Sequence, residues 1–403
     1  MSNEKHRSKK PFVILLIISS LTKLADLLVS PKTTLPYILT ASGAPSWLIS
    51  LLVPIKESGS LLPQWLLKTQ VAHRFSNRTA LWRLGALIQG IGIILLVVTI
   101  IAAQNNLLAI IVLILLMAIA GGRAICSLTM KDIQAETIQQ GRRGKLIGLA
   151  SSISGGLTLL SSIVFVASEQ PLTQAISYGL LIVGGLLFLI ALLCSLFLHV
   201  EYDPKAEEGD QQGFMQLVRS EPNLRHIIIS RILLLHSALI VPFVVSSAAT
   251  NNDSASSLAY FVGLSAFASL ISSYVWGVFS DKGAVATLRF ATVICIAAAV
   301  CVGMWIEQLP SYASLILFFI LTLGHAGIRT GRKTYLLDIT DRSNRTGYVA
   351  AANSCVGIGL LLLGAFYAYC YSQFGVTIVL FMAMLMAIGF VHSFLLEEVK
   401  ESD

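Results

Sequence analysis

From Leu84 to Ala103 the chain reads LGALIQGIGIILLVVTIIAA, twenty residues without a charge. A run of that length crosses the hydrocarbon core of a bilayer as one helix. Each residue rises about 1.5 Å, the core is about 30 Å thick, and lipid offers no partner for an unpaired backbone N–H or C=O. Twelve such spans can be laid along the sequence, at roughly 11–40, 46–68, 80–103, 107–130, 146–167, 174–200, 226–248, 257–280, 286–306, 312–331, 346–371 and 374–396. Charged residues make up 12% of the 403, about half the share of a soluble domain. The expected fold is therefore an all-α polytopic membrane protein with twelve transmembrane helices.

The chain also repeats itself. GGRAICSLTMKDIQAETIQQGRRGKLIGLASS, Gly121 to Ser152, is echoed by GIRTGRKTYLLDITDRSNRTGYVAAANS, Gly327 to Ser354. A shift of 206 carries Gly121 to Gly327, Arg123 to Arg329 and Asp132 to Asp338; past a loop four residues shorter, a shift of 202 carries Arg143 to Arg345 and Ser152 to Ser354. A period near half the chain length means two related halves, since repeats mark duplicated structural units. We read residues 1–200 and 223–403 as pseudo-symmetric six-helix halves, joined by the hydrophilic linker 201–222.

Orientation follows from the basic residues. The connections near 40–46, 103–107, 167–174, 248–257, 306–312 and 371–374 hold no Lys or Arg. The opposite side holds Lys5, Arg7, Lys9, Lys10, Arg74, Arg78, Arg142, Arg143, Lys145, Lys282, Arg332, Lys333, Arg342 and Arg345. The positive-inside rule places both termini in the cytoplasm, and these loops account for the net charge of +7 without nucleic-acid binding. The basic head and apolar start resemble a signal peptide, but the first span is too long for one. The six cysteines fall in apolar spans at no metal-like spacing and read as small buried hydrophobes.

Charges inside the spans are the candidate site. Lys23 and Asp26 lie three apart in span one, on one helical face, with Lys32 between Pro31 and Pro36 further on. Span two carries Lys56 and Glu57, flanked by Pro54, Gly59 and Pro63. Each buried charge costs about 2.5–3.5 kcal/mol on insertion scales, so such residues face a cavity or a partner. Two readings stand for Lys23–Asp26 and Lys56–Glu57: they line a working cavity, or they neutralise one another and hold spans one and two together. Span seven, partner of span one at the same shift, adds Arg231 and His236, with Pro36 falling on Pro242. His236 also fits a packing role. Asn353 opens span eleven, matched to Ser151 in the first half.

Between spans two and three, Phe75-Ser76-Asn77-Arg78 matches Phe279-Ser280-Asp281-Lys282 between spans eight and nine. With Gly277, Asp281 and Lys282 this resembles the loop pattern G-x-x-x-D-[RK]-x-G-[RK]-[RK] of the major facilitator superfamily. His73 replaces the first Gly of the other copy, Asn77 its Asp, and both lack the basic tail. Twelve spans, a six-plus-six repeat, cytoplasmic termini and a charged central linker extend the resemblance to the whole chain. It implies that spans one, four, seven and ten line a central site, flanked by two, five, eight and eleven. It also implies that Arg123, Asp132, Arg143, Asp281, Arg329, Asp338 and Arg345 form a cytoplasmic gate. The paired acids Asp132 and Asp338 are not explained as topology signals, because orientation is set by Lys and Arg.

No G-x-S-x-G, H-E-x-x-H or G-x-x-x-x-G-K-[ST] occurs, so an enzyme or an ATP-driven pump is not expected, nor any cofactor or metal site. The reading is a secondary transporter working by alternating access. The cavity candidates Lys23, Asp26, Lys32, Lys56, Glu57, Arg231, His236 and Asn353 hold more basic than acidic groups. That balance favours an anionic or zwitterionic small organic solute, with protons as coupling ion and Asp26 as first carrier. Export of cationic compounds by antiport, or a transporter-like receptor that moves nothing, are the alternatives. The resemblance further implies a monomer in the inner membrane of a prokaryote.

Overall fold

The computed structural model describes residues 9–61, 77–138, 142–167, 174–198, 200, 218–249, 258–339 and 345–396. The architecture is all-helical, with no strand among the described residues. Contacts divide the chain into two compact units. One comprises Met1–Ser30, Ser42–Ala44 and Ile55–Glu208; the other comprises Pro31–Ala41, Pro45–Pro54 and Gly209–Asp403. The first holds α1 (Lys9–Leu28), α4 (Arg78–Ala102), α5 (Asn105–Thr137), α6 (Arg143–Ala167) and α7 (Gln174–Ser195). The second holds α2 (Thr34–Ala41), α8 (Pro222–Leu234), α9 (His236–Leu239), α10 (Val241–Ala249), α11 (Leu258–Lys282), α12 (Ala284–Trp305), α13 (Ser311–Asp338), α14 (Arg345–Phe374) and α15 (Ile378–His392). Helix α3 (Ser46–Leu61) passes from the second unit to the first at Pro54–Ile55.

Ten stretches among the described residues are long and apolar enough to cross a membrane. The ten differ from the twelve expected spans at two places. Residues 62–76 of span two lie outside the described residues, leaving α3 too short to qualify. The stretch Ala351–Leu395 takes in most of α14 and all of α15, parted by a 3-10 turn at Gly375–Thr377 where Gly375 takes a φ of +57°. The linker 201–217 and the loop residues 73–76 also lie outside the described residues.

Helix α4 shows why lipid, not water, is the solvent. Leu84, Leu87, Ile91, Leu95 and Val98 recur at three- and four-residue spacing and are exposed, while Gly85, Ala86, Gln89, Ile93 and Leu96 are buried. A soluble helix hides its apolar stripe; here large apolar groups face out, and the buried face includes small residues that admit a neighbour. Gly85 and Gly122 are examples, since a Cβ on either would sit 2.7 or 2.8 Å from the other's carbonyl oxygen. Such contacts hold membrane helices together where no hydrophobic force between them exists.

Span one and span seven are broken at equivalent places. Helix α1 stops at Leu28 and α2 starts at Thr34. In the second half α8 stops at Leu234, and the short α9 precedes α10. Pro36 and Pro242, 206 apart, each remove one backbone donor, and Pro31 removes another. Carbonyls left open at the two breaks are taken by side chains. Lys56 Nζ donates to Val29 O at 2.8 Å, Ser237 Oγ to Leu234 O at 2.7 Å, and His236 Nδ1 lies 2.6 Å from Leu233 O. Beyond the breaks, Thr40 Oγ1 and Ser246 Oγ, also 206 apart in sequence, meet at 2.8 Å.

The duplication extends to capping. Arg83 donates through Nε to Ser195 Oγ (3.1 Å) and through Nη2 to the carbonyls of Ser195 and Leu198 (both 2.8 Å). Arg289 repeats this on Ser393 Oγ (3.4 Å), Ser393 O (2.9 Å) and Leu396 O (3.2 Å). Each guanidinium ties off the last carbonyls of the helix ending its own half. The buried clusters correspond too, with Ile18, Leu146 and Leu198 of one matched by Leu224, Tyr348 and Leu396 of the other. Arg83→Ala or Arg289→Ala is expected to lower stability by about 1–3 kcal/mol, the range for hydrogen bonds from a charged donor. Arg→Lys should fail to restore it, because one ammonium lacks the planar fork. Thermal unfolding in detergent reads this; an unchanged midpoint in both alanine variants would mean the caps are dispensable.

Candidate functional site

In the first unit the charges converge on Asp26. Helix α5 brings Arg123, whose Nη1 donates to Asp26 Oδ1 at 2.8 Å. Helix α3 brings Lys56, whose Nζ lies 3.6 Å from the same oxygen while also closing the break at Val29. Lys56 is 4% exposed, against 32% for Asp26 and 36% for Arg123. The lysine is thus committed to the protein, and the Arg–Asp pair is reachable. Lys23 turns away from Asp26 to helix α6, donating to Ser151 Oγ and to Ile147 O at 2.9 Å. Glu57 is half-buried beside Lys56 on α3.

In the second unit Arg231 Nη1 donates to Asn353 Oδ1 at 2.7 Å. Position 353 is the repeat partner of 151, so each unit ties a basic residue of its first span to the same place on its fifth. Lys32, in the break of span one, has Nζ 3.4 Å from His325 Nε2. His325 Nδ1 lies 2.9 Å from Ser237 Oγ. Ser237 spends its proton on Leu234 O, so it accepts from Nδ1–H, which leaves the His325 Nε2 lone pair for the lysine ammonium. His236 packs against Tyr367 edge to face.

Of the residues expected at a gate, Arg123 is the one drawn to Asp26; the others have different surroundings. Asp132 pairs at 3.0 Å with Arg78, which is buried at the start of α4. Arg143 Nε donates to Ile138 O at 3.2 Å. Asp281, Arg329 and Asp338 are exposed, and Arg345 is the first residue of α14. Among the described residues no three His, Cys, Asp or Glu side chains gather as metal ligands would.

Sequence reasoning missed the Arg123–Asp26 contact, having assigned Arg123 to the gate set; it gave no role to His325, Ser237 or Tyr367, and read Arg78 only as an orientation signal. Two signals pointed towards them. His325 stands one turn before Arg329, and Arg78 belongs to the repeated Phe-Ser-Asn-Arg loop.

Residues 227–403 match the sequence profile described as Major Facilitator Superfamily. No curated protein matches the chain by sequence. Among solved structures it is similar to the D-xylose–proton symporter, with 12% identity, a TM-score of 0.71, and 96% of this chain and 97% of that chain covered. A nucleoside transporter, NupG, aligns at 13% identity and TM-score 0.67, covering 96% and 98%. A POT family transporter in complex with 5-aminolevulinic acid aligns at 10% identity and TM-score 0.68, covering 95% and 94%. Residues 227–403 thus carry the sequence pattern of the Major Facilitator Superfamily, and nearly the whole length of the chain shares the fold of these solved transporters.

Proposed function

We propose that the protein is a proton-coupled transporter of a small organic anion or zwitterion. The observation that carries this is charge balance away from the helix ends. Lys23, Lys32, Lys56, Arg123 and Arg231 stand against two acids, Asp26 and Glu57. The described helices of the second unit carry no Asp or Glu except Asp281 and Asp338, each at a helix end. Charges in a membrane interior are costly unless matched, so a basic excess is complemented by an anion. Lys23, Asp26, Lys32, Lys56, Glu57, Arg231, His236 and Asn353 serve this cavity, together with Arg123.

Asp26 supplies the coupling. While ionised it holds Arg123 and Lys56 on one oxygen. Taking up a proton removes the charge that both cations answer, and the reachable Arg123 then becomes available to the solute's anionic group. Asp132, Arg143, Asp281, Arg329, Asp338 and Arg345 form the gate on the cytoplasmic side. Twelve crossings, both termini in the cytoplasm, halves at 1–200 and 223–403 joined by 201–222, and a monomer in a prokaryotic inner membrane complete the proposal.

The test is thermal stability of the detergent-purified protein against organic anions, zwitterions and cations at two pH values. A ligand bound only by the folded state adds about 2.7 kcal/mol at a hundredfold excess over Kd. Stabilisation by anions, stronger at the lower pH, is expected. Stabilisation by cations alone would overturn the anion reading and make Asp26 and Glu57 the binding groups of an efflux antiporter. Binding without counterflow in vesicles would indicate a receptor.

A further inference from the structure

Among the described residues several buried polar side-chain atoms of the second unit have no hydrogen-bond partner, and two of them belong to residues in contact. His236, on the short helix between the two kinks of span seven, is 1% exposed. Its Nδ1 lies 2.6 Å from Leu233 O, and a carbonyl only accepts, so Nδ1 carries a proton. The neutral imidazole therefore presents Nε2 as a lone pair, and that atom is buried without a partner. Tyr367, on α14, is also 1% exposed and sets its ring at 88° to the imidazole with centroids 5.6 Å apart. Its hydroxyl is likewise buried and unpartnered. Buried polar groups in native proteins are nearly always satisfied, and an exception calls for a water, a ligand or a functional role.

We infer that His236 and Tyr367 form a hydroxyl-recognition site and that the transported solute carries at least one hydroxyl group. A hydroxyl has what both atoms lack: a proton for Nε2 and a lone pair for the phenolic O–H. A carboxylate brings only acceptors, which the imidazole lone pair repels. An ammonium would donate to both atoms but would enter a unit whose interior carries Lys32 and Arg231. The broken segment of a discontinuous helix is also where transporters of this architecture place substrate contacts. The nature of the solute's other end rests on the anion reading above; the hydroxyl site does not. Together they describe a hydroxylated organic acid.

Three six-carbon probes separate the two ideas: D-gluconate (carboxylate and hydroxyls), hexanoate (carboxylate only) and D-glucitol (hydroxyls only). Binding is measured by calorimetry on the purified full chain for wild type, Tyr367→Phe and His236→Asn. The Asn amide can still donate to Leu233 O, so the second variant removes Nε2 while keeping the cap. Gluconate is expected to bind more tightly than hexanoate, and each variant to weaken gluconate by about three- to tenfold, the effect of one neutral hydrogen bond, and by more than it weakens hexanoate. Binding of glucitol but neither acid, lost in both variants, would sink the anion reading and leave the hydroxyl site standing. Equal binding of gluconate and hexanoate, or gluconate affinity untouched by both variants, would overturn the site. In that case a loss of thermal stability in both variants would identify an internal water as the partner. No response to any of the three probes would overturn the hydroxyl proposal as well.

Discussion

Replacing Asp26 by Asn is expected to reduce uptake against a gradient by a hundredfold or more while exchange across vesicles survives within a few-fold. Asn has the shape of the protonated acid and cannot cycle. Its amide leaves Arg123 and Lys56 without the charge they share, which is the state assigned above to the proton-loaded carrier. Exchange needs only the loaded transporter to reorient, whereas accumulation needs the proton to leave. Removing one partner of a fully buried ion pair costs about 3–5 kcal/mol. Asp26 is a third exposed, and solvent screens part of that loss, so about 2 kcal/mol of destabilisation is expected. Adding Lys56→Met to Asp26→Asn should recover much of it, because the buried ammonium goes with its counter-charge. Continued accumulation by Asp26→Asn would mean that the coupling proton travels elsewhere.

Arg231→Ala is expected to weaken binding of the stabilising anion by about ten- to a hundredfold, the range for charge-assisted hydrogen bonds, and Lys56→Ala to weaken it indirectly. The two test different contributions. Arg231 presents a planar fork, of which Nη1 is engaged by Asn353, so Arg231→Lys should restore only part of the affinity. Lys56 is held by Val29 O and sits beside Asp26, so its loss acts partly by loosening the break in span one. Calorimetry with the anion found in the stability panel gives the measurement. Unchanged affinity in both variants would end the anion reading.

Much of this protein was legible in its residues, for physical reasons. Lipid demands helices of fixed minimum length, so uncharged runs such as Leu84 to Ala103 announce their own structure. The duplication was equally plain, because Arg123 and Arg329, or Asp132 and Asp338, keep their spacing through both halves. Prolines at 36 and 242 marked where spans one and seven would break. What periodicity does not encode is the direction in which a long side chain reaches once helices pack. Lys23 and Asp26 share a face of one helix, yet Lys23 goes to Ser151 and Asp26 takes Arg123, which sequence reading had assigned to the gate set. Both partners lie about a hundred residues away, on helices whose rotation no local pattern specifies. His325 and Tyr367 were likewise passed over, since a lone histidine or tyrosine in an apolar helix looks like packing until its unmatched atoms and neighbours are known. Hydrophobicity determined the membrane-length helices, and the repeat determined their paired breaks and caps. Only the tertiary structure decided which charge answers which, because that depends on helix rotation and depth, and a few ångströms of either changes the partner.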